Sequence, residues 1–156
     1  MVEQSMQRKI LYIDMDNVLV DFKSAIDKLP AAVKQQYEGR LDEVPHIFSM
    51  MEPMPGAVEA FRLLSERFDT YILSTAPWEN PTAWHDKVVW VKQHLGKSAY
   101  KRLILSHNKH LNKGDYLIDD RHGHNGSERF TGEFIHFGTE RFPDWDRVLE
   151  YLLGSA

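Results

Sequence analysis

Apolar and polar positions along the chain divide it into short strands and longer helices. Strands are predicted at five compact apolar runs, residues 9–14, 69–74, 103–105, 116–118 and 134–137. Helices are predicted where apolar side chains recur every three or four residues, at 21–39, 56–68, 84–95 and 145–153. This alternation predicts an α/β fold, a Rossmann-like, mostly parallel sheet with helices on both faces.

Individual residues refine the boundaries of the predicted helices. Pro30 should break the first helical stretch, because its ring clashes with the preceding turn of a helix. Asp144 is the expected N-cap of the last helix. On the helix at 84–95, the side chains of Trp84, Val88 and Val91 are expected to share the buried face.

Polar side chains follow four of the predicted strands. Right-handed crossovers place the carboxyl ends of parallel strands on the same edge of a sheet. We therefore expect one polar rim, although its members are far apart in the sequence. They are Asp14 and Asp16, Ser74 and Thr75, Ser106, and Asp119 and Asp120.

The acidic pairs of this rim favour a metal site. Carboxylates at the end of an apolar strand are costly to bury unless their charge is offset, and Mg²⁺ prefers oxygen ligands. Asp-x-Asp is also common in ordinary turns, but ligands of open α/β sheets bind at strand carboxyl ends. Lys109 could neutralise a phosphoryl group there, although a single lysine is more often a solvated surface residue.

Composition excludes several classes of function. The chain has 156 residues, a net charge of −4 and no cysteine, which fits one domain without disulfides or thiolate metal sites. There is no basic block for duplex nucleic acid, no apolar signal-peptide core in residues 1–9 and no membrane-spanning apolar run. A cytoplasmic protein is expected, and the absence of a Walker-type loop excludes a P-loop enzyme.

Residues 14–22, Asp-Met-Asp-Asn-Val-Leu-Val-Asp-Phe, resemble the first motif of the haloacid dehalogenase superfamily. Within it they are most similar to the 5′(3′)-deoxyribonucleotidases. The resemblance continues in order through 52–60, 72–75, Lys109 and 117–121. Asn17 stands where this family usually has glycine, and asparagine tolerates the left-handed backbone conformation better than most residues.

The resemblance implies an Mg²⁺-dependent phosphatase that acts in two displacements. Asp14 would be the nucleophile that forms an aspartyl-phosphate and a metal ligand. Asp16 would be the general acid and base, with its backbone carbonyl on the metal. Asp120 aligns with the usual direct metal ligand and Asp119 with a supporting position.

The same resemblance implies how the substrate is held. Ser74, together with Thr75, and Lys109 would bind the phosphoryl oxygens of a nucleotide. A small helical cap of about 21–53 would interrupt a core of about 1–20 and 54–156 within a single domain over 1–156. Phe22 and Phe48 are the cap aromatics expected to line the pocket, and Trp78 is a further candidate.

Alternative functions remain open from the residues alone. The same chemistry could serve another small phosphorylated metabolite, because fold-level likeness does not settle substrates. A non-catalytic phosphate-binding protein is disfavoured, since the expected nucleophile, acid/base residue and lysine are all present. Repair of nucleic-acid ends is disfavoured by the missing basic patch. A homodimer is plausible, because superfamily members with small caps can cover the site with a partner chain.

Overall fold

The computed structural model describes residues 7–154 of the chain. Its strands are β1 Ile10–Ile13, β2 Val20–Asp21, β3 Glu52–Pro53, β4 Asp69–Ser74, β5 Leu103–Leu105, β6 Tyr116–Asp119 and β7 Glu133–His136. Its α-helices are α1 Phe22–Ile26, α2 Ala31–Gln36, α3 Ala57–Ser65, α4 Pro81–His94 and α5 Trp145–Leu153. Residues 1–6 of the polar N-terminal segment lie outside the described part.

The central sheet has five parallel strands in the order β5-β4-β1-β6-β7. The predicted α/β class and its five apolar strands are confirmed. β1 is the middle strand and pairs with β4 on one side and β6 on the other. Residues that follow β1 therefore lie between the chain segments that follow β4 and β6, which is the placement that the polar rim needs.

The helices cover one face of this sheet, not both. Leu11 and Ile13 pack in a large core with the buried side chains of α3, α4 and α5. On the opposite face Tyr12 belongs to a smaller cluster with Leu73, Leu117 and Phe130. The connections from β5 to β6 and from β6 to β7 contain single 3₁₀ turns, because they are short and rich in asparagine and glycine, which favour turns.

A second, two-stranded sheet closes the segment between β2 and β3. These strands pair antiparallel, with Val20 opposite Pro53, and neither was predicted. We call residues 22–51, between the two strands, the insert. It contains α1, α2 and two 3₁₀ turns. Pro30 directly precedes α2 in an extended conformation, so the helical stretch divides at the predicted residue.

Side-chain hydrogen bonds fasten the insert to α4 and its N-terminus. The Asn80 side chain donates to the carbonyls of Asp42 and Val44 at 2.9 and 3.1 Å. The indole nitrogen of Trp90 donates to the carbonyl of Met51 at 2.9 Å. The insert is therefore held against α4 at two places in its C-terminal half, at residues 42–44 and at Met51.

The sequence predicted the N-cap of α5 correctly, but it did not predict where α4 begins or which of its faces is buried. The backbone N–H of Arg147 donates to Asp144 Oδ1 at 3.0 Å, which confirms the N-cap of α5. Helix α4 begins at Pro81, earlier than predicted, because proline is well suited to the first helical position. Its Val88 is exposed rather than buried.

Within residues 7–154, no helix combines the length and the apolarity needed to cross a membrane.

Candidate active site

Asp14 occupies the carboxyl end of the central strand. Its backbone N–H donates to the carbonyl of Ile118 at 2.9 Å, which continues the pairing of β1 with β6. The residue is buried, with 6% of its surface exposed. Parallel pairing thus brings Asp14 beside Asp119, which ends β6, and Asp120, which follows it, as the strand-end argument predicts.

Three carboxylates and one lysine form a compact charged group at this point. One carboxylate oxygen from each of Asp14, Asp119 and Asp120 lies within 4.8 Å of the others. Lys109 Nζ donates to Asp14 Oδ1 at 2.9 Å and to Asp119 Oδ2 at 2.8 Å. A single ammonium group cannot neutralise three carboxylates, so the group as a whole has room for a further positive charge.

The pKa values of these side chains reflect that imbalance. Burial, followed by the charges of Asp14 and Asp119, raises the pKa of Asp120 to about 8. Burial and the charge of Asp14 raise the pKa of Asp119 to about 6. Burial alone would lower the pKa of Lys109, but the carboxylates of Asp14 and Asp119 outweigh it and raise that pKa. A bound divalent cation would relieve the repulsion that keeps protons on the carboxyl groups.

Asp16 lies apart from the three-carboxylate group and has a partner of its own. Its Oδ1 accepts a hydrogen bond from Lys87 Nζ at 3.2 Å, and Lys87 also donates to Ser74 Oγ at 2.7 Å. Burial raises the pKa of Asp16, an effect that Lys87 partly offsets. The arrangement suits a carboxyl group that must exist in both protonation states.

Lys87 is a site residue that the sequence did not predict. It is fully buried on α4, and its ammonium group lies 4.5 Å from the centre of the Phe48 ring. A lysine on an amphipathic helix is normally read as solvent-facing. The spacing of Lys87 along α4 could have indicated its burial, because Lys87 shares a helix face with Ala83, Trp90 and Val91. All three of these residues are buried.

The two predicted hydroxyls behave differently. Ser74 is fully buried, and its Oγ accepts the hydrogen bond from Lys87, which leaves its own proton available for donation. Thr75 lines the cleft above the acidic group, but its hydroxyl donates to the carbonyl of Ser106 at 2.7 Å. That bond joins the segments after β4 and β5 and holds this part of the rim together.

A cleft of about 300 Å³ opens over the charged group. Its walls come from the insert, the loop between β4 and α4, and the connections on either side of β6. The lining residues are Asp14, Asp16, Asp42, Glu43, Thr75, Pro77, Trp78, Glu79, His107, Lys109, Asp119, Asp120, Arg121, His124 and Asn125. This lining combines carboxylate oxygens and cationic side chains with an exposed indole ring. Such a combination suits the binding of an organic phosphate.

The predicted pocket aromatics Phe22 and Phe48 do not line this cleft. Their rings pack edge to face with centres 5.7 Å apart, and Phe48 is only 2% exposed. Phe48 joins the core of the insert and carries Lys87 on its face. The sequence could not show this, because the same aromatic residues fit either a pocket wall or the core of a small insert.

Comparison with known proteins identifies the family to which this arrangement belongs. A family model described as "5′ nucleotidase, deoxy (Pyrimidine), cytosolic type C protein" matches residues 30–148. This chain belongs to that family. The match covers α2 through most of α5, and so includes Ser74, Lys87, Lys109 and the Asp119–Asp120 pair.

Relatives of this nucleotidase family extend the likeness to the N-terminal motif. A proposed 5′(3′)-deoxyribonucleotidase of Vibrio phage KVP40 is 63% identical over 145 residues, which cover 93% of this chain and 85% of the phage protein. One from Bordetella bronchiseptica is 35% identical over 137 aligned residues, covering 72% of this chain and 74% of that protein. One from Staphylococcus aureus is 30% identical over 180 aligned residues, covering 96% and 98%.

A solved structure confirms the haloacid dehalogenase fold. The structure of YfnB of Bacillus subtilis, a proposed HAD-hydrolase determined with bound magnesium, superposes with a TM-score of 0.63 at 14% identity. The superposition covers 94% of this chain and 99% of YfnB. At this level of identity the likeness concerns the fold alone.

Proposed function

We propose that this nucleotidase-family protein is an Mg²⁺-dependent phosphohydrolase that removes phosphate from deoxyribonucleoside 5′(3′)-monophosphates through an aspartyl-phosphate. The observation that carries the proposal is the contact of Asp14 with Lys109 at the end of β1, beside two further carboxylates. The identity of 63% with a proposed deoxyribonucleotidase supports the substrate class. The small-molecule partner is thus a phosphorylated nucleoside.

The donor set fits Mg²⁺. Asp14, Asp119 and Asp120 offer only carboxylate oxygens, which suit a hard cation, and the part of the chain that is described places no histidine in this group. Asp14 and Asp120 would hold the ion directly, with Asp119 in support. The carboxylate of Asp16 lies outside the group, and the resemblance to the haloacid dehalogenase superfamily implies that Asp16 would contribute its backbone carbonyl instead. Bound there, Mg²⁺ would offset negative charge on the transferring phosphoryl group.

Asp14 is the nucleophile of the proposed reaction. One of its carboxylate oxygens forms a bond to phosphorus while the bond from phosphorus to the leaving nucleoside oxygen breaks. Water then attacks phosphorus, the bond to Asp14 breaks, and inorganic phosphate is released. Lys109 orients Asp14 through their hydrogen bond and counters the charge on the phosphoryl oxygens.

Asp16 moves the protons in both steps. It gives its proton to the leaving nucleoside oxygen in the first step and takes one from the attacking water in the second. Its raised pKa supports the first role, and the nearby Lys87 ammonium group supports the second by stabilising the carboxylate. Ser74 and Thr75 would bind the phosphoryl oxygens; Thr75 lines the cleft, whereas Ser74 is fully buried beside it in the chain.

The insert serves as the cap in this proposal. With β2 and β3 at its ends it corresponds to the expected cap of about 21–53, and its Asp42 and Glu43 reach the cleft. A reducing compartment such as the cytoplasm suits a chain without cysteine. A homodimer, in which a second chain would cover the open side of the cleft, remains part of the proposal.

A second candidate substrate class is a small phosphorylated metabolite other than a nucleotide. It is favoured by the burial of Phe48, because that ring is not available to a nucleobase. Comparison of deoxyribonucleotides with sugar phosphates separates the two candidates.

Phosphate release tests the proposed function directly. We expect the protein to release phosphate from dTMP and dUMP with Mg²⁺, to stop when EDTA is added, and to resume when Mg²⁺ is restored in excess. A rate that is unchanged in chelator would remove the metal from the proposal.

A further inference from the structure

The cleft has an aromatic wall outside the insert. Trp78, in the loop between β4 and α4, lines the cleft and is 75% exposed. Its ring packs edge to face on Trp84 at 6.3 Å and on His107 at 5.8 Å between ring centres. Trp84 and His107 are themselves 6.0 Å apart. We call Trp78, Trp84 and His107 the aromatic wall.

The aromatic wall is built to hold Trp78 in place. Each of its three rings contacts the other two, so rotation of one ring is restricted by the others. His107 Nε2 is buried and has no hydrogen-bond partner among the described residues, which is a cost that this packing imposes. An indole that is fixed yet exposed loses little conformational freedom when a ligand packs against it.

Three acidic residues line the cleft in addition to the carboxylates at the carboxyl ends of β1 and β6. Lys109 and Arg121 line it together with the metal-binding carboxylates, where the phosphate would sit. Asp42, Glu43 and Glu79 line it as well, and Glu79 is the chain neighbour of Trp78. Glu43 pairs with Arg40, whereas Asp42 and Glu79 form no ion pair within residues 7–154. Glu79 adjoins Trp78 in the chain, and the Asp42 carbonyl accepts a hydrogen bond from Asn80 two residues further on, so these two carboxylates would repel an additional anionic group beside Trp78.

We propose that Trp78 is a specificity-determining residue, whose ring packs against the planar, uncharged leaving group of the phosphate ester. The inference rests on the proposed function, in which that leaving group is a deoxyribonucleoside and the planar part is its base. Asp42 and Glu79 then disfavour substrates that carry a second phosphate. Phe22 and Phe48, the aromatic pair of the insert, have their faces occupied by each other and by Lys87.

The test compares two substrates that differ only in the base, dTMP and deoxyribose 5-phosphate. Stacking of a base on an aromatic side chain corresponds to roughly tenfold in affinity or more. Trp78→Ala is expected to lower kcat/KM for dTMP roughly tenfold, mainly through KM, and to change that for deoxyribose 5-phosphate less than about twofold. Tyr100→Ala is the matched control, because Tyr100 is 70% exposed but lies outside the cleft.

Two results would overturn the inference while leaving the proposed function intact. One is an equal effect of Trp78→Ala on both substrates. The other is a selective loss for dTMP in Phe22→Leu that Trp78→Ala does not reproduce. A wild-type protein that does not favour dTMP over deoxyribose 5-phosphate instead contradicts the proposed function. Trp78 is then tested with 4-nitrophenyl phosphate as the planar ester, where an unchanged kcat/KM in Trp78→Ala overturns the inference.

The charged residues supply a second, independent readout. The double variant Asp42→Asn/Glu79→Gln is expected to raise kcat/KM for thymidine 3′,5′-bisphosphate several-fold relative to dTMP. The gain should shrink at high salt, because exposed charges are screened. A ratio of the two kcat/KM values that stays at the wild-type value would remove the acidic residues from the inference.

Discussion

Lys87 Nζ lies 3.2 Å from Asp16 Oδ1 and connects α4 to the proposed general acid. The ammonium group is fully buried, donates also to Ser74 Oγ and lies over the ring of Phe48. A buried lysine needs such partners, because an unpaired buried charge is costly. Lys87 thereby fixes the orientation of Asp16 and ties the insert to the site.

Substitution of Lys87 should impair turnover more than folding. Lys87→Met keeps the length of the side chain but removes the charge that favours ionised Asp16. We expect kcat to fall by about 10- to 100-fold and the limb of the pH–rate profile set by Asp16 as a base to move to higher pH. Lys92→Met, an exposed lysine of the same helix, should leave the profile unchanged. A fall in kcat without any movement of that limb would contradict the electrostatic role.

Asp14→Asn removes the nucleophile with almost no change of shape. We expect kcat to fall by at least about 1000-fold, because an amide cannot form the acyl-phosphate. The far-ultraviolet circular dichroism spectrum and the cooperativity of unfolding should be retained, since Asp14 is at the edge of the core. Normal turnover in this variant would exclude Asp14 as the nucleophile.

The metal-free acidic group should make stability fall as the pH rises. The pKa values of Asp119 and Asp120 are raised from 3.8 to about 6 and about 8, so the folded protein binds more protons than the unfolded one in this range. The free energy of unfolding should therefore decrease from about pH 4 to about pH 8.

Magnesium should counteract that decrease. Protons compete with the ion for the same carboxylates, so saturating Mg²⁺ should raise the Tm more at about pH 8 than at about pH 6. Asp120→Asn should abolish most of this shift, while Asp146→Asn, an acidic residue of α5, should preserve it. Equal shifts at the two pH values would argue against binding at these carboxyl groups.

Asn17 offers a test of backbone conformation next to the nucleophile. Its φ of 61° is left-handed, and its Oδ1 accepts a hydrogen bond from the backbone N–H of Phe22 at 3.3 Å. Asn17→Ala should reduce the free energy of unfolding by about 1 kcal/mol, as measured by urea denaturation. Asn17→Gly relieves the strain and should lose less. Because both variants lack the Oδ1 acceptor, they differ only in the backbone, and a larger loss in the glycine variant than in the alanine variant would contradict the strain argument.

The positions of the acidic residues could be predicted because strand ends are visible in the sequence. Asp14 and Asp119 follow apolar runs, and parallel pairing then leaves little freedom in where they meet. The left-handed conformation of Asn17 agrees with the glycine that the family usually has at this position, and it was the resemblance that pointed to it. The positions of the acidic residues depend on local chain geometry, which the sequence encodes directly.

Lys87, Phe48 and the second face of the sheet could not be predicted in this way. Whether Lys87 points to solvent or to Asp16 depends on the rotation of α4, and the buried face of that helix is not the one marked by Val88. Phe48 is placed by how the insert packs. The turns that replace helices after β5 and β6 reflect connections too short for a helix, which could be recognised only once the strand order was known.

The most direct test of the central claim is the steady-state rate of phosphate release across a panel of monophosphates in Mg²⁺. The panel contains dUMP, dTMP and dGMP, their 3′ isomers, the matching ribonucleotides and several sugar phosphates, with Asp14→Asn as the inactive control. The account predicts the highest kcat/KM for deoxyribonucleotides. Activity confined to sugar phosphates would contradict the nucleotidase assignment while preserving the phosphatase chemistry, and phosphate release by the Asp14→Asn variant at the wild-type rate would contradict both.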